Sequence, residues 1–242
     1  MTSPAFSSFA APTYPLPFED ALAHLRDSAI LEFRKGQIVY SADRPSESIY
    51  LVTAGKVKLS WMAEGGREVV LEILGPQELF GESAFLRVPR RSEQATALEA
   101  ARLRVWPLSA IEDLVTKQPL FALALLQILA QRAVDLARSI ESFSFDNIER
   151  RLARALIRFS ERLGTPDTDG SLRMMPLTHD LLSRHVGTSR ELVTLYMNRF
   201  RTQGYLRYSR RGIALYRDAL AAHIAGTSRS AAVGSPEGKA TA

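Results

Sequence analysis

Between residues 30 and 106 the apolar positions recur with a period of two in short runs: IYLV (49–52), KVKLSWM (56–62), REVVLEIL (67–74) and ARLRVWP (101–107). Such alternation puts successive side chains on opposite faces and predicts half-buried strands. Val57, Leu59 and Trp61 are expected on one face, with Lys56, Lys58 and Ser60 on the other. Turn-rich ADRPSES and AEGG separate the runs, so the predicted unit is a small all-β domain, a sandwich or barrel.

After residue 107 the period lengthens. Ser109 opens SAIE, which reads as a capping box with Glu112, and Pro119 suits the first turn of the next helix. Within 119–146, Leu126, Leu129, Ala133, Leu136, Ile140 and Phe143 recur at alternating steps of three and four, the rhythm of a seam between two helices. Leu125, Ile128, Val134 and Ala137 form a second apolar stripe, which predicts two partners: the chain's own barrel and the matching helix of a second copy. The segment FDNIERRLARALIRFSERLG (145–164) reads as a short hinge and an amphipathic helix with Leu152, Leu156, Phe159 and Leu163 on one face, stopped by Gly164.

Residues 176–203 read as helix, tight turn, helix. Thr178 caps HDLLSRHV, Gly187 breaks it, and Ser189 caps a second helix running to about Gln203. Leu192, Val193, Tyr196, Met197 and Phe200 are expected to be buried, which leaves Arg190, Glu191, Thr194, Leu195 and Asn198 on the opposite face. In a helix-turn-helix the amino end of the second helix enters the major groove. Arginine there donates two hydrogen bonds to guanine, and glutamate accepts from the cytosine amino group. The carboxylate is the informative residue, because attraction to phosphate alone gains nothing from a negative charge facing DNA. A helix-stabilising role for Glu191 at the positive helix end is the alternative. Arg190, Glu191, Thr194 and Leu195 are therefore the candidate base readers. YLRYSRRGIALY (205–216) predicts two strands around an SRRG turn, a β-wing. Thr178, Ser189, Arg199, Arg207, Arg210 and Arg211 are candidate phosphate contacts, fixing register without reading sequence.

Charge sharpens this picture. Residues 1–147 carry 15 Lys and Arg against 18 Asp and Glu, whereas residues 148–217 carry 14 Arg against 6 acidic residues, a local balance of +8. Positive charge confined to one segment suits a polyanion partner.

Taken together, the order of parts resembles the CRP/FNR family of bacterial transcription regulators over roughly residues 30–218. The resemblance rests on the glycines of TAGKVKL and LGPQELFGE, on FGE (80–82) with RS (91–92), on the long helix, on the hinge NIERRL and on TSRELV. It implies an α+β chain: a flexible segment (1–17), a β-roll sensor domain like those that bind cyclic nucleotides (18–118), a dimerisation helix (119–146), a winged helix-turn-helix DNA-binding domain (147–218) and a disordered tail (219–242). It also implies a homodimer that binds a palindromic site in double-stranded DNA and contacts RNA polymerase.

In cyclic-AMP-binding members a cassette of Gly and Glu at one end and Arg and Ser at the other holds the nucleotide. Carried onto this chain, Gly81 would offer an amide, Glu82 would accept from the ribose, and Arg91 and Ser92 would hold the cyclic phosphate. Yet Glu93 stands where a small residue is expected, and Leu136 and Ala137 stand where Thr and Ser would meet the adenine. Two readings follow: a cyclic nucleotide as effector, or turn residues retained in a domain that binds something else or nothing. Leu195 replaces a second arginine of the family's recognition helix, so a half-site differing from TGTGA at one position is expected.

Several classes are excluded or disfavoured. The chain has no cysteine, so disulfides, thiolate metal sites, cysteine-ligated iron–sulfur clusters and a cysteine nucleophile are excluded. No Gly-rich phosphate loop or serine elbow points to an enzyme, so no catalytic residue is expected. His24 alone in the sensor half argues against haem, and His179, His185 and His223 lack metal-like spacing and are expected to be helix-surface residues. FALALLQILA (121–130) is about half a bilayer span and the amino terminus lacks a basic leader, so no membrane association and a cytoplasmic location are expected.

Overall fold

The computed structural model describes residues 28–232, and the expected flexible segment 1–17, His24 and residues 233–242 lie outside the described residues. The strands β1 (Ala29–Phe33), β2 (Ile38–Tyr40), β3 (Ser48–Ala54), β4 (Val57–Met62), β5 (Glu68–Leu74), β6 (Leu79–Phe80), β7 (Gln94–Ala97) and β8 (Ala101–Pro107) form the β-roll. They pair as two antiparallel four-stranded sheets, β1-β8-β3-β6 and β2-β7-β4-β5. Buried Val52, Val57, Leu74, Phe80 and Leu103 lie between them. Gly55 turns the chain from β3 to β4 at φ +77°, where a Cβ would stand 2.2 Å from the carbonyl oxygen of Ala100, so only glycine fits.

The alternation expected along β4 runs beside a bulge in its partner β5. The register slips between Leu59, opposite Glu72, and Ser60, opposite Val70, leaving Leu71 without a partner. The bulge displaces the alternation of β5, the strand that carries the extra residue, while β4 keeps an unbroken register with β7 through Ser60. Val57 and Leu59 are buried as expected, but Ser60 is buried as well and Trp61 is 50% exposed.

The helix α1 (Leu108–Lys117) follows β8, and α2 (Pro119–Phe145) runs from Pro119 in its first turn for 27 residues. Pro107 rather than Ser109 stands at the start of α1, and no side chain caps it, so the expected capping box does not form. Phe121 and Ala124 are buried against the roll with Ile49, Trp106 and Ile111, and Leu125 and Ile128 pack beside them. The second stripe expected on α2 is thus split. Its first half meets the roll, while Val134 is 46% exposed and Ala137 is exposed. The apolar stretch of α2 is longer than FALALLQILA and, by length and composition alone, would suffice to cross a membrane.

Asn147 then caps α3 (Ile148–Leu163) by accepting from the Arg150 amide at 2.9 Å. The helices α4 (His179–Val186), α5 (Arg190–Thr202) and α6 (Arg217–Ala232) complete the carboxy-terminal unit with a sheet of order β11-β12-β10-β9. Its strands are β9 (Thr165–Pro166), β10 (Leu172–Met174), β11 (Leu206–Ser209) and β12 (Gly212–Leu215). Leu152, Leu156, Phe159, Leu182, Val193, Met197, Phe200 and Leu215 form its core. Residues 219–232, expected as part of a disordered tail over 219–242, are instead helical. Leu220 and Ile224 are buried in that core, so the chain beyond 218 continues as α6 to Ala232.

The same core includes Val70 and Ile73 of β5, while Leu74 of that strand belongs to the roll. Polar contacts join the two units at the same place. Arg162 pairs with Glu72 and Glu78, Arg184 donates to Glu68 at 2.6 Å, and Arg158 donates to Ser139 of α2 at 3.0 Å.

Candidate nucleic-acid interface and roll cassette

Both helix starts of the carboxy-terminal unit form as expected. The Thr178 hydroxyl accepts from the Leu181 amide at 3.1 Å, and that of Ser189 accepts from the Leu192 amide at 3.3 Å. Between them Gly187 adopts the left-handed conformation at φ +70° that ends α4. A Cβ there would lie 3.0 Å from the Phe143 ring, so the turn is braced against the end of α2.

Val193, Met197 and Phe200 are fully buried, and Leu192 and Tyr196 are half-buried beside them. Arg190, Glu191 and Leu195 are exposed at the amino end of α5, Leu195 by 57%. The helix's own amide and the Ser189 hydroxyl, with Arg190 beside it, hold the Glu191 carboxyl below its ordinary range, so Glu191 also satisfies the helix start. Thr194 is half-buried. Its hydroxyl donates to the Arg190 carbonyl at 2.9 Å and meets His179 Nδ1 at 2.8 Å. With that proton committed to the carbonyl, Nδ1 is the donor to Thr194. Burial, and then Arg190, lower the His179 pKa.

The four arginines among the expected phosphate contacts divide into two groups. Arg210 and Arg211 stand exposed at the tip between β11 and β12, without an ion pair among the described residues. Arg199 donates to Glu149 at 3.2 Å, and Arg207 pairs with Asp169, which also accepts from the Tyr216 hydroxyl at 3.0 Å. Those two arginines are already paired within the chain.

None of the three described histidines is a bare helix-surface residue. His185 meets Val70 and Arg158, His179 meets Thr194, and His223 is half-buried against Tyr205 and Glu149. Among the described residues no group of three His, Cys, Asp or Glu is placed to hold a metal.

On α2 the expected seam residues are exposed: Leu126 by 62%, Leu129 by 40%, Leu136 by 63%, Ile140 by 59% and Phe143 by 50%, with Ala133 exposed between them. Phe143 has a second role, since the Arg151 guanidinium lies 5.1 Å over its ring.

In the roll, Gly81 takes φ +87° and opens the short 3-10 turn Glu82–Leu86. Its carbonyl accepts from Arg91 Nη1 at 3.3 Å. Glu82 pairs with Arg132 of α2. Arg91 is 3% exposed, and Ser92 donates to Glu93 at 3.1 Å. The four cassette residues are thus brought together, each with a partner from the chain itself. Tyr40, Ser83 and Arg132 complete this cluster, and sequence pattern alone does not find them. Only the unexpected Glu93 signals that the cluster has a further member.

A β-roll, a long connecting helix and a helix-turn-helix with a β-wing define a class: DNA-binding transcription regulators with an attached sensor-type domain. The cyclic nucleotide-binding domain family matches residues 30–118, and the Crp-like helix-turn-helix domain family matches residues 150–230. A CRP-like cAMP-activated global transcriptional regulator of Mycobacterium tuberculosis is 29% identical over 189 residues, 76% of this chain and 83% of that protein. The cyclic AMP receptor protein of Thermus thermophilus is 30% identical over 175 residues, 72% of this chain and 78% of that protein. FixK2 from Bradyrhizobium japonicum shares the fold with a TM-score of 0.71 at 23% identity, covering 81% of this chain and 96% of that one. The chain belongs to the CRP/FNR family of transcription regulators.

Proposed function

We propose that this protein is a cytoplasmic regulator that binds a two-fold-symmetric promoter site as a homodimer and contacts RNA polymerase from that position. The observation that carries the reading is the amino end of α5. One face is sunk in the core through Val193, Met197 and Phe200, and the other presents Arg190 and Glu191 to solvent. A rigid helix that offers a fork of donors beside an acceptor suits the edges of a guanine and a cytosine. Leu195 adds an apolar contact suited to a thymine methyl, and Thr194, tethered by His179, reads from a fixed position. Arg210 and Arg211 at the wing tip, with Thr178 and Ser189 at the helix starts, serve the phosphates. Arg199 and Arg207 would have to leave Glu149 and Asp169 to join them. The exposed stripe Leu126, Leu129, Ala133, Leu136, Ile140 and Phe143 supports pairing of α2 with its copy, because a water-exposed apolar seam of this length is stabilised by burial.

Control by a cyclic nucleotide in the roll is the reading that kinship with cAMP-activated regulators supports. Activity without a diffusible ligand is favoured by the cassette itself, whose Arg91 and Glu82 are engaged by groups of this chain.

Fluorescence anisotropy on a palindromic promoter fragment tests the proposal. Binding should prefer that fragment over a scrambled one and weaken steeply with salt. An affinity indifferent to both sequence and salt would refute it.

A further inference from the structure

The polar cluster at the heart of the roll contains both the cation an anionic effector would need and an anion to neutralise it. Arg91 Nη2 donates to the Ser48 carbonyl at 2.6 Å, and Nη1 reaches the Gly81 carbonyl at 3.3 Å and the Ser83 hydroxyl at 3.2 Å. The face of its guanidinium lies 4.0 Å over the Tyr40 ring. Its Nε is buried without a hydrogen-bond partner. The countercharge comes from Glu93, whose Oε1 lies 3.7 Å from Arg91 Nη1. That same oxygen accepts from the Tyr40 hydroxyl at 3.2 Å and the Ser83 hydroxyl at 3.1 Å, while Oε2 accepts from Ser92 at 3.1 Å. Burial, with the carboxylates of Glu93 and Glu82, raises the Tyr40 phenol far above its ordinary value, so it stays a donor. Tyr40, Tyr50 and Phe80 close the inner wall, with ring centroids 5.0–6.0 Å apart.

We propose that Glu93 is a built-in anion: its carboxylate occupies the cluster of Arg91, Ser83, Ser92 and Tyr40 in place of a diffusible phosphodiester, so the roll is held without an external cyclic nucleotide. The chemistry matches group for group. A cyclic phosphodiester carries one negative charge and accepts hydrogen bonds through unesterified oxygens, and so does a carboxylate. The ion pair is enclosed, with side-chain exposures of 1% for Arg91 and 13% for Glu93, and each partner neutralises the other. An incoming phosphate would have to reach Arg91 and Ser92, and Glu93 lies against both. Two anions cannot share that shielded cation without strong repulsion. The class excluded is therefore the cyclic phosphodiester, and neutralising Glu93 should admit it at Arg91 Nη1.

This inference rests on reading the chain as a DNA-binding regulator, and the test separates the two. Full-length wild type, Glu93→Gln and Glu93→Ala are titrated calorimetrically with cyclic AMP and with inorganic phosphate, while anisotropy follows DNA binding with and without cyclic AMP. Glu93→Gln removes the charge and keeps the shape, so it serves if Glu93→Ala misfolds. The wild type should give no heat at about 1 mM of either anion, and its DNA affinity should not respond to cyclic AMP. The Glu93 variants should bind cyclic AMP at least about tenfold more tightly than the wild type, an effect lost again in the double variant with Arg91→Gln. Wild-type binding of cyclic AMP as tight as that of the variants would overturn the proposal, as would a folded Glu93→Gln protein that binds neither anion. Failure of every protein to bind DNA would instead refute the proposed function and leave the calorimetric result to decide the role of Glu93.

Discussion

The imidazole of His185, on the first helix of the helix-turn-helix, donates through Nδ1 to the carbonyl of Val70, on β5 of the roll, at 3.0 Å. A carbonyl only accepts, so Nδ1 carries the proton and Nε2 is the bare nitrogen that takes the 2.7 Å contact from Arg158. His185 is therefore neutral and links the two units of the chain.

Burial, with Arg158 acting in the same direction, lowers the His185 pKa to about 4. An unfolded chain protonates this histidine near its ordinary value of about 6.5. Between those pH values the unfolded state holds a proton that the folded state refuses, so stability is full above about pH 6.5 and falls as pH drops toward 4, by roughly 2–3 kcal/mol. Urea unfolding from pH 7.5 to 4.5, compared with His185→Phe, isolates this share of the slope. Equal slopes for both proteins would refute it.

At the amino end of α5, Arg190→Ala should weaken binding to the preferred site by about 1–3 kcal/mol and relax selection at one base pair. At the wing tip, Arg210→Ala should weaken all sequences alike and lower the salt slope by about one unit. Anisotropy titrations over a set of single-base variants distinguish the two, and a uniform loss for Arg190→Ala would count against base reading.

Introducing a charge into the exposed stripe of α2 should separate a dimer without touching either core. Leu136→Glu places a carboxylate at a position 63% exposed in the single chain, so the monomer should fold normally and sediment as one copy. A dimer that survives would place the interface elsewhere.

The turn that sets the two helices of the helix-turn-helix against each other depends on Gly187. Alanine there must take φ +70° and bring a Cβ to 3.0 Å from Phe143. Gly187→Ala should cost about 1–2 kcal/mol from the left-handed backbone alone, read as a lowered denaturant midpoint. An unchanged midpoint would show that the turn relaxes freely.

Elements with local causes are legible in the amino-acid sequence itself. The period-2 runs, the cap residues Thr178 and Ser189, the breaker Gly187 and the heptad rhythm of α2 each act within a few residues and leave a pattern. What depends on distant partners is not legible. Alternation gives Trp61 the face of Val57 and Leu59, but Trp61 lies beyond Ser60, the last β4 residue paired with β7, and is 50% exposed. The link between Val70 and His185 joins residues 115 positions apart, and neither carries a local signal. The small-residue composition after 218 hides Leu220 and Ile224, which two turns of helix suffice to bury. Within the roll, the cassette residues can be placed from the sequence, but the partners Tyr40, Ser83 and Arg132 come from three separate elements.

Strand β5 serves two masters: Leu74 closes the roll, while Val70 and Ile73 sit among the side chains of the carboxy-terminal unit. Proteolytic scission at Asp146 would therefore not yield two finished halves. The amino-terminal piece would carry a greasy scar on its outer sheet, and the carboxy-terminal piece would lack part of its wall.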